Sequence, residues 1–125
     1  MIKLSSKVDT KVYMRMTTIK KGKSVMKPMA GQRVSCYYKG FIGGPDGRCF
    51  DQMQPKSRGS QCHTFKAGKG HVIRGWDEAV MKMVVGQTCG VHIEAPWAYG
   101  KKGCPDAGIL PNQDLYFEVT LERLD

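Results

Sequence analysis

Only one stretch of this chain repeats its apolar residues at helical spacing. Trp76, Val80 and Met83 recur within residues 73–83, and Gly86 follows as a stop. The other periodic segments alternate apolar and polar residues, as half-buried strands do. The alternating sets are Val12, Met14 and Met16; Val34, Cys36 and Tyr38; His63, Phe65 and Ala67; Cys89, Val91 and Ile93; and Leu115, Phe117, Val119 and Leu121. A single short helix cannot bridge a series of parallel strands. The expected fold is therefore α+β, an antiparallel sheet of five to six strands with one apolar face covered by that helix.

Turn chemistry divides these segments. Gly43-Gly44-Pro45-Asp46-Gly47 reads as a hairpin turn after a strand ending near Gly40, and Arg48–Asp51 resumes an extended course. Residues 52–61 are polar, contain Pro55 and Gly59, and read as an irregular excursion. About twenty residues between Ala95 and Asp114 show no periodicity. A loop of that length inside a compact domain is commonly functional, and Trp97, Tyr99, Ile109 and Leu110 give this one apolar content.

Charge is concentrated at one end. Residues 1–29 hold eight Lys or Arg against the single acid Asp9, whereas the remainder is nearly balanced. Residues 1–11 read as a basic, flexible lead-in and 12–125 as one domain. The basic stretch can be a solvated edge, where lysine also discourages edge pairing, or a weakly supported nucleic-acid contact through residues 1–29. No apolar run reaches membrane-spanning length, and residues 1–6 have no apolar core of a secretory signal. The five cysteines show no C-x-x-C spacing, so neither a zinc site nor a disulfide framework is expected. Cys36 and Cys89 fall in alternating runs and read as small buried hydrophobes. A cytoplasmic, monomeric protein is the simplest expectation.

Enzyme templates find little. There is no G-x-S-x-G or H-E-x-x-H, and Gly68-Lys69-Gly70 lacks the rest of a phosphate loop. His63, His71 and His92 are scattered, with His92 in the polar phase of its strand. Asp77-Glu78 falls in the first helical turn, where acids suit the helix dipole. Aromatic residues are more informative. Tyr38, Phe50, Phe65, Trp76, Tyr99 and Phe117 come from separate segments that a one-helix domain must bring together. Asp51 follows Phe50 directly, and a carboxylate there needs a partner, either the Tyr38 hydroxyl or an arginine such as Arg58. The combination points to an apolar aromatic pocket for a neutral group, with no metal or cofactor.

The ordered set Tyr37-Tyr38-Lys39-Gly40, Phe50-Asp51, Phe65-Lys66-Ala67-Gly68, Val72-Ile73-Arg74-Gly75-Trp76-Asp77-Glu78, Val84-Val85-Gly86-Gln87, Ala98-Tyr99-Gly100, Gly108-Ile109-Leu110-Pro111 and Leu115–Val119 resembles the FKBP-type peptidyl-prolyl cis–trans isomerases, the immunophilins that bind tacrolimus and rapamycin. It spans about Val12 to Leu124. The resemblance implies a twisted antiparallel sheet wrapped around one short helix, with a pocket for the proline ring of an X-Pro peptide. Trp76 would form its floor, and Tyr38, Phe50, Val72, Ile73 and Phe117 its walls. Tyr99 and the Ile73 backbone N–H would donate to a carbonyl. Asp51 would sit at the rim, and Ile109 and Leu110 would form an apolar lip. Tyr38, Asp51, Tyr99 and Phe117 would carry catalysis. Prolyl peptides, folding client proteins and macrolide immunosuppressants are the implied partners.

Two positions depart from the family pattern. His63 stands where an aromatic usually lines the pocket strand, and Cys104 stands in the long loop where histidine is common. The alternative to a turning-over isomerase is a binding module that keeps the pocket to hold a protein partner.

Overall fold

The computed structural model describes residues 11–55 and 62–125. Residues 1–10 of the basic lead-in 1–11, and Arg58 with its surroundings at 56–61, lie outside the described residues. Among the described residues six strands form one sheet: β1 (Met14–Lys20), β2 (Arg33–Ile42), β3 (Cys49–Met53), β4 (His63–Lys66), β5 (Thr88–Ile93) and β6 (Leu115–Leu124). One helix, α1 (Arg74–Val80), covers it. The strand order is β1-β5-β6-β2-β3, with β4 also paired to β2, and every pairing is antiparallel.

β3 and β4 share one edge of β2. β3 pairs with Tyr38–Phe41, and β4 pairs with Arg33–Cys36. The polar excursion therefore interrupts what is in effect a single edge strand, and both broken ends lie beside Tyr38. Alternation decides what faces inward. Val34, Cys36, Cys89, Val91, Ile93, Leu115, Val119 and Leu121 are all essentially inaccessible and meet Trp76, Ala79, Val80 and Met83 in one core. Burying such side chains contributes about 1.5–3 kcal/mol each, the main term opposing chain entropy.

The helix is shorter than its apolar spacing predicts. Regular α-helix ends at Val80, and the chain tightens into i→i+3 bonds from Lys82 N to Ala79 O and from Met83 N to Val80 O. Met83 keeps its inward direction through that turn and is fully buried. Val12 is also displaced from its expected face. It lies outside the β1–β5 pairing, which begins at Met14, and is 59% exposed. β2 runs past Gly40 to Ile42, closed by Ile42 N to Arg48 O. The long loop is more ordered than its lack of periodicity predicts. It contains 3₁₀ turns at Ala95–Trp97 and Pro105–Ala107, and a bridge between Cys104 and Ile109. No helix among the described residues is long and apolar enough to cross a membrane.

Ser35 lies in the polar phase of β2 yet is completely buried. Its hydroxyl donates to Asp125 Oδ2 at 2.7 Å and sits 2.9 Å from Thr64 Oγ1, so its polarity is satisfied locally.

Candidate active site

A pocket of about 250 Å³ opens between α1, the split edge of the sheet and the long loop. Tyr38, Asp51, His63, His71, Val72, Ile73, Trp76, Tyr99 and Phe117 line it. Trp76 is only 4% exposed and holds the bottom. Around its ring stand Tyr38 at 5.1 Å, Phe117 at 5.6 Å, Phe65 at 5.7 Å and His63 at 5.8 Å between centroids. The Tyr38, His63 and Phe117 rings are within about 10° of perpendicular to it, at 83°, 80° and 90°. Edge-to-face contacts of this kind suit the opposed charges of ring face and rim. They also keep the aromatic edges from collapsing into a flat stack that would fill the hollow.

A β-bulge sets the wall next to β3. Gly40 pairs with Asp51 and Phe41 with Cys49, leaving Phe50 without a partner. The extra residue lets consecutive Phe50 and Asp51 both serve the inner side, which simple alternation forbids. Phe50 backs Phe117 at 5.7 Å between ring centroids and does not itself line the pocket. Gly40 makes that pairing possible: a Cβ there would lie 2.7 Å from Phe117 and 2.9 Å from Phe50.

At the mouth the Tyr38 hydroxyl donates to Asp51 Oδ2 at 2.5 Å. Of the two partners the sequence left open for Asp51, the tyrosine is therefore in place. Burial first, and then the adjoining carboxylate, hold the Tyr38 hydroxyl above the ordinary tyrosine range. Tyr99 is raised too, by burial first and then by Cys104 and Asp51. Both phenols consequently remain O–H donors at neutral pH.

The segment entering α1 is fixed from beneath. Asp77, 8% exposed, accepts N–H bonds from Gly68 at 2.9 Å and Gly70 at 2.7 Å. Both glycines have φ of +73°, a conformation that disfavours side chains. Asp77 thus does more than face the helix dipole; it staples the turn that delivers His71, Val72 and Ile73 to the pocket. The Ile73 carbonyl accepts from Trp76 N and Asp77 N. Its N–H makes no backbone hydrogen bond within the described residues, leaving a donor beside the pocket.

The structure brings together Tyr38, Asp51, His63, Val72, Ile73, Trp76, Tyr99 and Phe117. It places the supposed lip differently. Ile109 is 2% exposed and belongs to the core, pinned by paired backbone bonds to Cys104 of 2.8 and 3.0 Å. Leu110 is 66% exposed, and neither residue lines the pocket. Trp97 is buried elsewhere, against Tyr13 and under the Arg74 guanidinium at 4.3 Å. His71 was missed by the sequence reading, although its position directly before Val72-Ile73 was a usable signal.

Comparison with known proteins agrees with this geometry. The family model described as FKBP-type peptidyl-prolyl cis-trans isomerase matches residues 24–122. FK506-binding protein 1 of Gibberella zeae is 38% identical over 97 residues, covering 78% of this chain and 86% of its own. Peptidyl-prolyl cis-trans isomerase FKBP12 of Arabidopsis thaliana is 39% identical over 94 residues, covering 74% and 82%. The crystal structure of a peptidyl-prolyl cis-trans isomerase from Pseudomonas syringae superposes with a TM-score of 0.74 at 33% identity, covering 90% of this chain and 75% of that one. With the fold, the pocket and these relatives in agreement, the chain belongs to the FKBP-type peptidyl-prolyl cis-trans isomerases.

Proposed function

We propose that the isomerase activity resides in the Trp76 pocket and works by binding the twisted X-Pro amide better than the planar one. Resonance makes the amide planar and sets a rotational barrier of about 18–20 kcal/mol. Rotation removes that resonance, so the twisted amide is less polar and its nitrogen more pyramidal. An apolar hollow with few donors stabilises that form relative to water, which solvates the polar planar amide well. No nucleophile or proton shuttle is required; the rate gain is differential binding.

The chain's residues divide the work. Trp76, Phe117, Val72 and Ile73 hold the proline ring. The Ile73 N–H and the Tyr99 hydroxyl orient carbonyls on either side of the rotating bond. Tyr38 and Asp51 form a fixed polar edge beside the carbonyl that turns. Phe50 supports this wall from behind through Phe117, Ile109 belongs to the core, and Leu110 stands outside the lining. The observation that carries the reading is the perpendicular ring arrangement around Trp76, which leaves a ring-sized hollow open to solvent.

Prolyl peptides, folding clients and macrolides are the ligands this pocket fits. Tacrolimus titration followed by tryptophan fluorescence tests it. Because Trp97 is buried away from the pocket, the measurement is made in Trp97→Phe, where the signal comes from Trp76 alone. Saturable quenching or enhancement is the expected result; an unchanged spectrum at high drug concentration would refute the assignment. A module without turnover would show the drug signal and no acceleration in an X-Pro isomerisation assay.

A further inference from the structure

The aromatic pocket contains two imidazoles. His63 comes from β4 and His71 from the stapled turn before α1, and both line the hollow. His63 is built into the wall. Its ring stands 5.8 Å from Trp76, 5.4 Å from Phe65 and 6.1 Å from Tyr38 between centroids, and it is half-buried. His71 is exposed at the mouth, where the Asp77 contacts to Gly68 and Gly70 fix the turn that carries it. Among the described residues Asp51 is the one carboxylate in the lining, and its Oδ2 is already engaged by the Tyr38 hydroxyl. The hollow thus has two nitrogen-bearing rings able to donate into it, and one acid that is already partnered. That balance favours an acceptor or an anion on the ligand.

We propose that His63 and His71 select prolyl peptides carrying an acidic side chain beside the proline, and that the selection is stronger at pH 6 than at pH 8. The proposal rests on the pocket assigned above. The proline ring occupies the Trp76 floor, and the neighbouring residue lies toward the mouth, where His63 and His71 meet it. Among the described residues the other titratable groups around the pair are Tyr38 and Asp51 across the mouth, Tyr99 from the long loop, Cys36 opposite His63 in β2, Cys62 and Lys69 near them along the chain, and Asp77 behind Gly70. Burial keeps the Tyr38 and Tyr99 phenols protonated between pH 6 and 8, and a peptide glutamate stays ionised throughout that window. Imidazole is the side chain whose ordinary titration falls within it.

The experiment compares Xaa-Pro peptides with Glu, Gln or Leu before the proline, at pH 6 and pH 8. Glu and Gln are nearly isosteric, so the Glu/Gln ratio of kcat/KM isolates charge within each protein. The ratio should rise about threefold to fivefold on going from pH 8 to pH 6. His63→Phe keeps a ring in the wall and should flatten most of that rise, and His63→Phe/His71→Asn should remove it. A ratio independent of pH in the wild type, or a rise that survives in the double variant, would overturn the proposal. Failure of the underlying assignment looks different: the Leu peptide would not be accelerated at either pH. In that event the same Glu/Gln ratio, read as peptide affinity by Trp76 fluorescence in the Trp97→Phe background, decides the proposal.

Discussion

Asp51 and Tyr38 show how little polar chemistry this site needs. Their hydrogen bond lies at an exposed mouth, so its net contribution to stability is at most about 1 kcal/mol. Its effect on rate should be larger, because it fixes the polar edge next to the rotating carbonyl. Asp51→Val is expected to lower kcat/KM about tenfold while moving the urea midpoint only slightly, as one lost transition-state hydrogen bond would. Equal turnover in a folded Asp51→Val protein would contradict the role given to the carboxylate.

Tyr38 makes a second prediction. Its ionisation is raised by burial first and by Asp51 second, so the folded state binds the phenolic proton more tightly than the unfolded chain does. The associated stability is complete below the ordinary tyrosine value of about 10 and is lost as pH rises above it. Ultraviolet titration of the wild type against Tyr38→Phe should show one phenol missing only from the most alkaline part of the curve.

Among the elements, the bulge in β3 and the staple under α1 do most to position the site. Alternation alone lets only one of Phe50 and Asp51 face inward, because it cannot register the unpaired residue opposite Gly40 and Phe41. The bulge depends on pairing register, which a single strand's pattern does not encode. For the same reason the pairing of both β3 and β4 with one edge of β2, which sets Asp51 and His63 at either side of the gap, was not readable. The inward sets of β2, β5 and β6 were readable, because burial on one face imposes a strict period of two. So was the inward direction of Trp76, since α1 is the only helical-period segment. Ile109 was misplaced as a lip because the Cys104–Ile109 bridge is a long-loop contact with no local signature.

Gly40→Ala tests the bulge. Its methyl would meet Phe117 and Phe50 at 2.7 and 2.9 Å, so both rings must shift. The expected cost is about 1–3 kcal/mol in urea denaturation, with turnover falling as Phe117 moves into the hollow. Asp77→Ala tests the staple. Losing two charge-assisted bonds should cost about 2–4 kcal/mol, and amide exchange at Gly68 and Gly70 should accelerate selectively. Uniform acceleration across the sheet, with those two glycines unchanged, would show that Asp77 does not hold the turn.

For the molecule as a whole, one sheet face and one helix enclose a packed core, and a hollow opens beside it where they meet the long loop. The helix is only seven residues long and could not hold itself in water. It is held because Gly75 lets it settle onto Ile93, where a Cβ would stand 2.5 Å away. The same close seating carries Trp76 to the bottom of the pocket, so one residue serves both the fold and the proposed ligand site. Trp76→Ala should abolish drug binding and also destabilise the protein by about 3–5 kcal/mol, the usual cost of emptying a core aromatic site.

The most direct measurement is the cis-to-trans rate of a Leu-Pro peptide in a protease-coupled assay, with and without saturating tacrolimus. Acceleration well above the uncatalysed rate, extinguished as Trp76 fluorescence reports the pocket filled, is the predicted result. No acceleration by the free protein, or acceleration that persists with the pocket occupied, would contradict catalysis in this hollow.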